Sequence, residues 1–279
     1  MKITVISEQK ICAFHDYLVQ EEKSRVTVEK YIRDVKAFGI FLTGRKLSKE
    51  ITMEYKQQLI DAGYAPASIN SMLASLNSFF AWIDRRDCCV KNLRVQHQAF
   101  CSEENELTKE EYFRLLDAAE KNPRLSLLLQ TICGTGIRVS ELKYFTVEAI
   151  RCGKIIVSCK NKTRTIIIDG KLKKKLLQYA RECRISSGII FRTRSGKALD
   201  RSNIWSAMKK LCAIAKVNPS KVFPHNLRKL FARMFYKIKR DIAKLADVLG
   251  HSSIETTRIY IIDTGVEHRQ TIESLGLVI

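Results

Sequence analysis

The clearest strand signal in the chain is KIIVSCKNKTRTIIID at residues 154–169, two β-branched runs around a polar, Asn-containing turn. It predicts a single β-hairpin with lysines at its tip. A shorter strand pair is expected in GIIFRTRSGKALD at 188–200. Most of the rest carries apolar residues at helical spacing. Tyr31, Val35, Phe38 and Leu42 recur every three to four residues, and Ile69, Met72, Leu73, Leu76, Phe79, Phe80 and Ile83 make a denser stripe. A chain patterned this way can build only a small sheet, so the expected fold class is mainly α with a small β-sheet, an α+β arrangement. Gly63 can end one helix and Pro66 open the next, which gives four helices near 7–22, 25–43, 48–62 and 66–84. Periodicity fails between about 86 and 106. It restarts in LTKEEYFRLLDAAEKN, where Thr108 and Glu111 stand in capping-box register. The expected organisation is a helical domain at 1–90, a linker at 91–106, a mixed domain at 107–260 and a C-terminal segment at 261–279.

Composition enters where partners are concerned. Lys and Arg number 49 against 29 Asp and Glu, a formal net charge of +20, far beyond what solubility requires. Such an excess suits a polyanion and makes nucleic acid the leading partner, ahead of an acidic membrane surface. The nine cysteines are odd in number, hold no C-x-x-C and include the adjacent Cys88 and Cys89. They read as reduced thiols, with no metal site and no disulfide framework. MKITVISEQKICAF lacks a signal-peptide core and no stretch has the length of a membrane span, so a cytoplasmic protein with no membrane partner is expected.

Three stretches carry candidate chemistry. GTGIRVSEL (134–142) places Arg138 after two glycines and three residues before Glu141, where a helix would put both on one face. An Arg–Glu pair at that spacing is more often a surface ion pair. FPHNLRKLFARMFYKIKR (223–240) opens with Pro224, which favours a helix start, and sets His225 and Arg228 one turn apart where helix N–H groups favour an anion. From Lys221 to Arg240 there are seven Lys or Arg and no acid. LGHSSIETTRIY (249–260) offers Gly250 as a helix C-cap, Ser252 and Glu255 as a capping box, His251 in the turn between, and Tyr260 near the end of the next helix. Taken singly, each has an ordinary structural meaning.

In order, however, Arg138, a hairpin Lys, His225-x-x-Arg228, His251 and Tyr260 resemble the signature of the tyrosine recombinase (phage integrase) family, in its Xer-like two-domain form. GTGIRVSEL looks like the family's first box, and HNLRKLFAR with LGHSSIETTRIY like its second. Residues 7–85 resemble its SAM-like core-binding domain. The resemblance implies a C-terminal catalytic domain of the DNA breaking-rejoining type, with Tyr260 as nucleophile. Arg138 and Arg228 would grip the non-bridging phosphate oxygens bidentately, which Lys does less well. His225 would assist as base, His251 would hydrogen-bond the phosphate and Glu141 would orient its neighbours. The hairpin lysine would protonate the leaving 5′-oxygen. Here CKNKTR replaces the family's frequent Gly-Lys-Gly turn, so Lys160 and Lys162 are both candidates, and Lys160 is preferred for its place at the end of the first strand. Lys162, Lys221, Lys229 and Arg233 are expected to contact DNA. After the nucleophile Ile261 and Ile262 stand where many relatives have Thr-His.

The expected function is site-specific recombination (integration or excision, resolution or inversion) through a 3′-phosphotyrosyl intermediate and a Holliday junction, with no cofactor and no metal. The expected partners are double-stranded DNA with paired inverted half-sites, clamped between the two domains, three further copies in a homotetramer, and in some settings an accessory DNA-bending protein. The apolar Ile272, Leu275, Leu277, Val278 and Ile279 require burial, either in their own protomer or, as the resemblance favours, in exchange between protomers. Two rival functions are a type IB topoisomerase-like enzyme and a non-catalytic architectural DNA-binding protein.

Overall fold

The computed structural model describes residues 6–94, 106–159, 162–261 and 274, with Cys159 and Lys162 described by their backbone alone. The chain divides into two compact units, Met1–His97 and Gln98–Ile279.

The described part of the first unit is helical: α1 (Glu8–Gln20), α2 (Arg25–Leu42), α3 (Lys49–Asp61) and α4 (Pro66–Trp82). Ser7, Ser24 and Ser48 cap the first three helices, each hydroxyl accepting the backbone N–H of the residue three positions on. The fourth has no side-chain cap and begins instead with Pro66, whose missing N–H would have been unpaired in any case. The apolar stripes converge on Phe14, Phe38, Phe79 and Phe80, all fully buried. Phe14 meets Phe79 edge-on at 5.1 Å and Phe38 meets Phe80 at 5.6 Å. One buried charge interrupts this core. Asp34 accepts from Lys30 Nζ at 2.6 Å and from Ser75 Oγ at 2.8 Å, tying α2 to α4.

The second unit holds α5 (Lys109–Ala118), α6 (Pro123–Thr135), a 3-10 turn Val139–Tyr144, α7 (Val147–Cys152), β1 (Lys154–Cys159), β2 (Lys162–Ile167), α8 (Gly170–Glu182), α9 (Arg201–Ala215), α10 (Pro224–Lys239), α11 (Ile242–Leu249) and α12 (Ile254–Arg258). The capping box that opens α5 is formed: Glu111 N–H donates to Thr108 Oγ1 at 3.2 Å and Thr108 N–H to Glu111 Oε2 at 2.9 Å. The hairpin is antiparallel with Ile155 opposite Ile166 and Val157 opposite Arg164. Ile155, Val157 and Ile166 are buried on its inner face, and Ile156 and Ile167 are exposed on the outer one.

Two expectations are corrected here. The short strand pair at 188–200 is reduced to isolated bridges, Thr146 to Ile189 and Arg192 to Ala198. Gly196 at φ +81° closes a tight turn on Thr193, and the residues before that turn pair elsewhere: Val147 N–H donates to Gly188 O and Ile190 N–H to Phe145 O, each at 3.0 Å. The capping box expected from Ser252 and Glu255 gives way to a simple cap one residue later: Ser253 accepts from Glu255 N–H at 3.2 Å. The helix it starts ends at Arg258, and Tyr260 follows in a turn, its N–H donating to Thr257 O at 2.9 Å. The apolar C-terminal residues 272, 275 and 277–279, and Lys160, lie outside the described residues.

Candidate active site

The first arginine is set by a corner. Helix α6 ends on Gly136 at φ +65°, and a Cβ there would stand 2.3 Å from the ring of Phe231 on α10. Only glycine permits both the left-handed turn and that approach. Arg138 follows with extended backbone as the N-cap of the 3-10 turn, so it and Glu141 do not share an α-helical face as their spacing suggested. The Glu141 carboxylate instead folds back, accepting from Arg138 N–H at 2.8 Å and from Arg138 Nη1 at 3.2 Å. Glu141 is 3% exposed, which excludes a surface ion pair.

Pro224 is the first residue of α10, and it places His225 and Arg228 one turn apart. Arg228 is 1% exposed, the largest fully buried side chain of the described residues. Its Nη1 donates to Gly136 O, and its Nη2 to Leu249 O at 2.7 Å and to His251 Nε2 at 2.8 Å. Its buried Nε has no hydrogen-bond partner among the described residues. Burial, with the charge of Arg138 adding to it, pulls the guanidinium down to about 10, and it remains charged at neutral pH.

His251 follows Gly250, which caps α11 at φ +65°. Its two ring nitrogens have distinct roles. Arginine has only donors, so His251 Nε2 accepts from Arg228, and Nδ1 carries the proton and donates to Thr257 Oγ1 at 2.8 Å. Burial and the charges of Arg228, Arg138 and Arg164 push His251 down to about 4. In this arrangement His251 orients Arg228 and offers no free N–H to a phosphate. His225, exposed at the start of α10, is also held below the usual histidine range, by partial desolvation of its ring and then by Lys229, Arg228, Arg138 and Arg201.

Tyr260 sits between the two imidazoles. Its ring centroid is 5.0 Å from that of His225 and 5.0 Å from that of His251, at interplanar angles of 88° and 84°. It also packs in one cluster with Ala232, Leu245 and Leu249, and is 7% exposed. Arg138, Arg201, Trp205, His225 and Arg228 line a cleft of about 530 Å³.

Thus Arg138, Glu141, His225, Arg228, His251 and Tyr260 converge, although they come from three separate stretches of the chain. The other sequence candidates are placed differently. Lys160 is outside the described residues, and Lys162 is described only as the first residue of β2. Lys221 is paired with Glu111 at 3.1 Å. Arg233 is paired with Glu106 and donates to Leu107 O at 2.6 Å, so Arg233 fastens the start of the unit to α10 and Lys221 fastens α5 to the turn that precedes α10. Lys229 is partly exposed on α10. Sequence reasoning missed two members. Arg164 donates from Nη2 to Glu141 Oε2 at 2.6 Å, and Thr257, fully buried, holds His251. Arg164 left a signal, because counting back by twos from Ile168 and Ile166 puts it on the buried face of its strand. Thr257 left none. Among the described residues no group of three or more His, Cys, Asp or Glu could hold a metal ion, and no helix is long and apolar enough to cross a membrane.

Comparison with known proteins shows the family. Residues 105–264 match the model of the phage integrase family, and residues 11–87 match the phage integrase N-terminal SAM-like domain. The tyrosine recombinase XerA of Pyrococcus horikoshii is 27% identical, over 98% of this chain and 96% of its own length. The tyrosine recombinase XerD of Staphylococcus epidermidis is 28% identical, over 87% of this chain and 90% of its own. The fold is shared with a lambda integrase tetramer bound to a Holliday junction, at a TM-score of 0.73 and 20% identity, covering 92% of this chain and 77% of that one. Fold and site therefore define a tyrosine recombinase, an enzyme of site-specific DNA recombination. The chain belongs to the phage integrase family.

Proposed function

We propose that Tyr260 is the nucleophile with which this recombinase cleaves and rejoins duplex DNA. The observation that carries this reading is the placement of the phenol between two uncharged imidazoles and beside a buried guanidinium. The Tyr260 oxygen attacks phosphorus, the bond to the 5′-oxygen breaks, and the strand is held as a 3′-phosphotyrosyl ester until another 5′-hydroxyl reverses the step. The phenolic proton goes to His225, which partial desolvation and its cationic neighbours keep neutral and able to accept it. Negative charge gathering on the non-bridging oxygens is met by Arg138 and Arg228, the first partly exposed and adaptable, the second fixed. His251 holds Arg228 in place. Glu141 orients Arg138. The proton for the departing 5′-oxygen comes from Lys160, with Lys162 as the other candidate.

The substrate is double-stranded DNA bearing paired inverted half-sites, on which four copies assemble. The net charge of +20 supports a polyanionic partner, and the lambda integrase neighbour is a tetramer on a Holliday junction. The test uses a half-site selected by the protein from a random-sequence pool and nicked near the scissile phosphate, so that cleavage is irreversible. The wild type is expected to form a covalent protein–DNA adduct, and Tyr260→Phe to bind the same DNA without forming one. An adduct on Tyr260→Phe at a comparable rate sinks the assignment. Relaxation of supercoiled plasmid lacking any selected site would favour a topoisomerase instead.

A further inference from the structure

Three successive carbonyls at the C-terminal end of α11 are each taken by a different arginine. Arg164 Nη1 donates to Val248 O, Arg228 Nη2 to Leu249 O at 2.7 Å, and Arg138 Nη2 to Gly250 O at 3.4 Å. The two preceding carbonyls, of Ala246 and Asp247, accept backbone N–H groups of the helix cap. The last carbonyls of a helix have no acceptor role within it and carry the negative end of its dipole. Here that end is a mount for three cations. Two of them are the proposed phosphate ligands, and the third is absent from the sequence pattern that revealed the other two.

Arg164 and Arg138 also share a carboxylate. Glu141 Oε2 accepts from Arg164 Nη2 at 2.6 Å and Oε1 from Arg138 Nη1 at 3.2 Å. The contacts form a closed circuit: Arg138 to Glu141, Glu141 to Arg164, Arg164 to Val248, and back through Gly250 to Arg138. Both contacts made by the Arg138 guanidinium are long and its side chain is 40% exposed, whereas that of Arg164 is 14% exposed. Gly250 is part of the same arrangement, because a Cβ there would lie 2.5 Å from Arg164 Cδ and 2.8 Å from its Nε.

From this geometry we infer that Arg164 is a positioning residue: it neutralises Glu141 and pins β2 to the end of α11, so that Arg138 is aimed by the carboxylate without being captured by it. The inference rests on the reading of Tyr260 as nucleophile and Arg138 as phosphate ligand. Without Arg164, Glu141 has only Arg138 as a cationic partner among the described residues. A two-point guanidinium–carboxylate pair is then the strongest contact open to Arg138, and forming it turns the guanidinium away from the phosphate. A displacement of about 1 Å at such a group costs about 10²-fold in rate.

The test measures single-turnover adduct formation at saturating protein, together with half-site affinity, on the nicked selected half-site. Arg164→Ala is expected to bind within about threefold of wild type and to cleave about 10²-fold more slowly. Arg164→Lys, which can reach one of the two acceptors, recovers part of the rate. The decisive variant is the double Glu141→Gln/Arg164→Ala: removing the uncompensated carboxylate charge frees Arg138, so the double cleaves at least about tenfold faster than Arg164→Ala alone, an interaction that a purely structural defect does not produce. Thermal unfolding accompanies each rate, and Arg164→Met, which keeps the stem packed against Gly250, replaces Arg164→Ala if the latter is unfolded. A double variant no faster than the single, or Arg164→Ala cleaving like wild type, overturns the role of Arg164. A wild type that forms no adduct overturns the recombinase reading itself.

Discussion

Replacing Arg228 is expected to damage the fold as well as the chemistry, whereas replacing Arg138 is expected to damage the chemistry alone. Arg228→Ala leaves Gly136 O, Leu249 O and His251 Nε2 without their donor in a site the guanidinium fills completely. Hydrogen bonds from a charged group contribute about 1.5–3 kcal/mol each, so the three together are worth roughly 5–9 kcal/mol. Against this stands relief of the buried charge. A depression from 12.5 to about 10 corresponds to about 3 kcal/mol of disfavour for the charged form. The difference is a destabilisation of roughly 2–6 kcal/mol, in line with breaking other buried charge networks. For a domain of this size it amounts to a fall of roughly 5–20 °C in the melting temperature. Arg138, with its side chain 40% exposed and its contacts long, should shift that transition by only a degree or two on replacement by Ala. Both variants should slow adduct formation by about 10²- to 10³-fold. Thermal unfolding followed by circular dichroism on the full chain, beside the adduct assay, separates the two effects. If Arg228→Ala melts with the wild type, the buried guanidinium is not holding these three segments together and the reasoning is wrong.

Three further outcomes are expected. Lys160→Ala should be severely impaired on ordinary DNA and largely restored by a 5′-bridging sulfur, which departs without a proton, and restoration of Lys162→Ala instead would move the role by two residues. The depressed His251 should make stability fall as pH falls: above 6.5 the imidazole is neutral in both folded and unfolded chains and its contribution is complete, and it is lost as pH falls from 6.5 through about 4. Denaturant unfolding at pH 7 and 5 should show a steeper loss for the wild type than for His251→Gln, and parallel losses would contradict the assigned burial. Gly136→Ala should destabilise by roughly 2–4 kcal/mol, because it combines a left-handed backbone with a Cβ 2.3 Å from the Phe231 ring. An unchanged midpoint in urea would show that α6 and α10 can separate without loss.

The mainly helical pattern and the order of the site residues were legible because each rests on a local signal. Serine caps and apolar stripes delimit α1 to α3, Pro66 opens α4, and the β-branched runs mark the hairpin. Arg138 follows the Gly136 corner, His225 and Arg228 follow Pro224, and His251 follows Gly250, so a reader of neighbouring residues finds them. Such signals fail where structure depends on what lies opposite. The strand pair at 188–200 does not form because residues 188–190 pair with residues 145–147, a distant segment, and the cap of α12 is Ser253 and not Ser252, an identical neighbour in sequence terms.

By itself, then, the sequence determined which elements form and which chemical groups the chain supplies, since capping, periodicity and turn chemistry act over a few residues. The tertiary structure alone decided what those groups are. Arg228 became a buried strut because carbonyls 92 and 21 residues away came to face it, and Arg164 became part of the site through a carbonyl 84 residues away. Lys221 and Arg233, equal to Arg228 in charge on the same basic stretch, were instead drawn to Glu111 and Glu106. The charge on an arginine is a property of the residue, but whether it meets a carbonyl, a carboxylate or a phosphate depends on distances of a few ångströms between segments far apart in the chain, and only folding sets those.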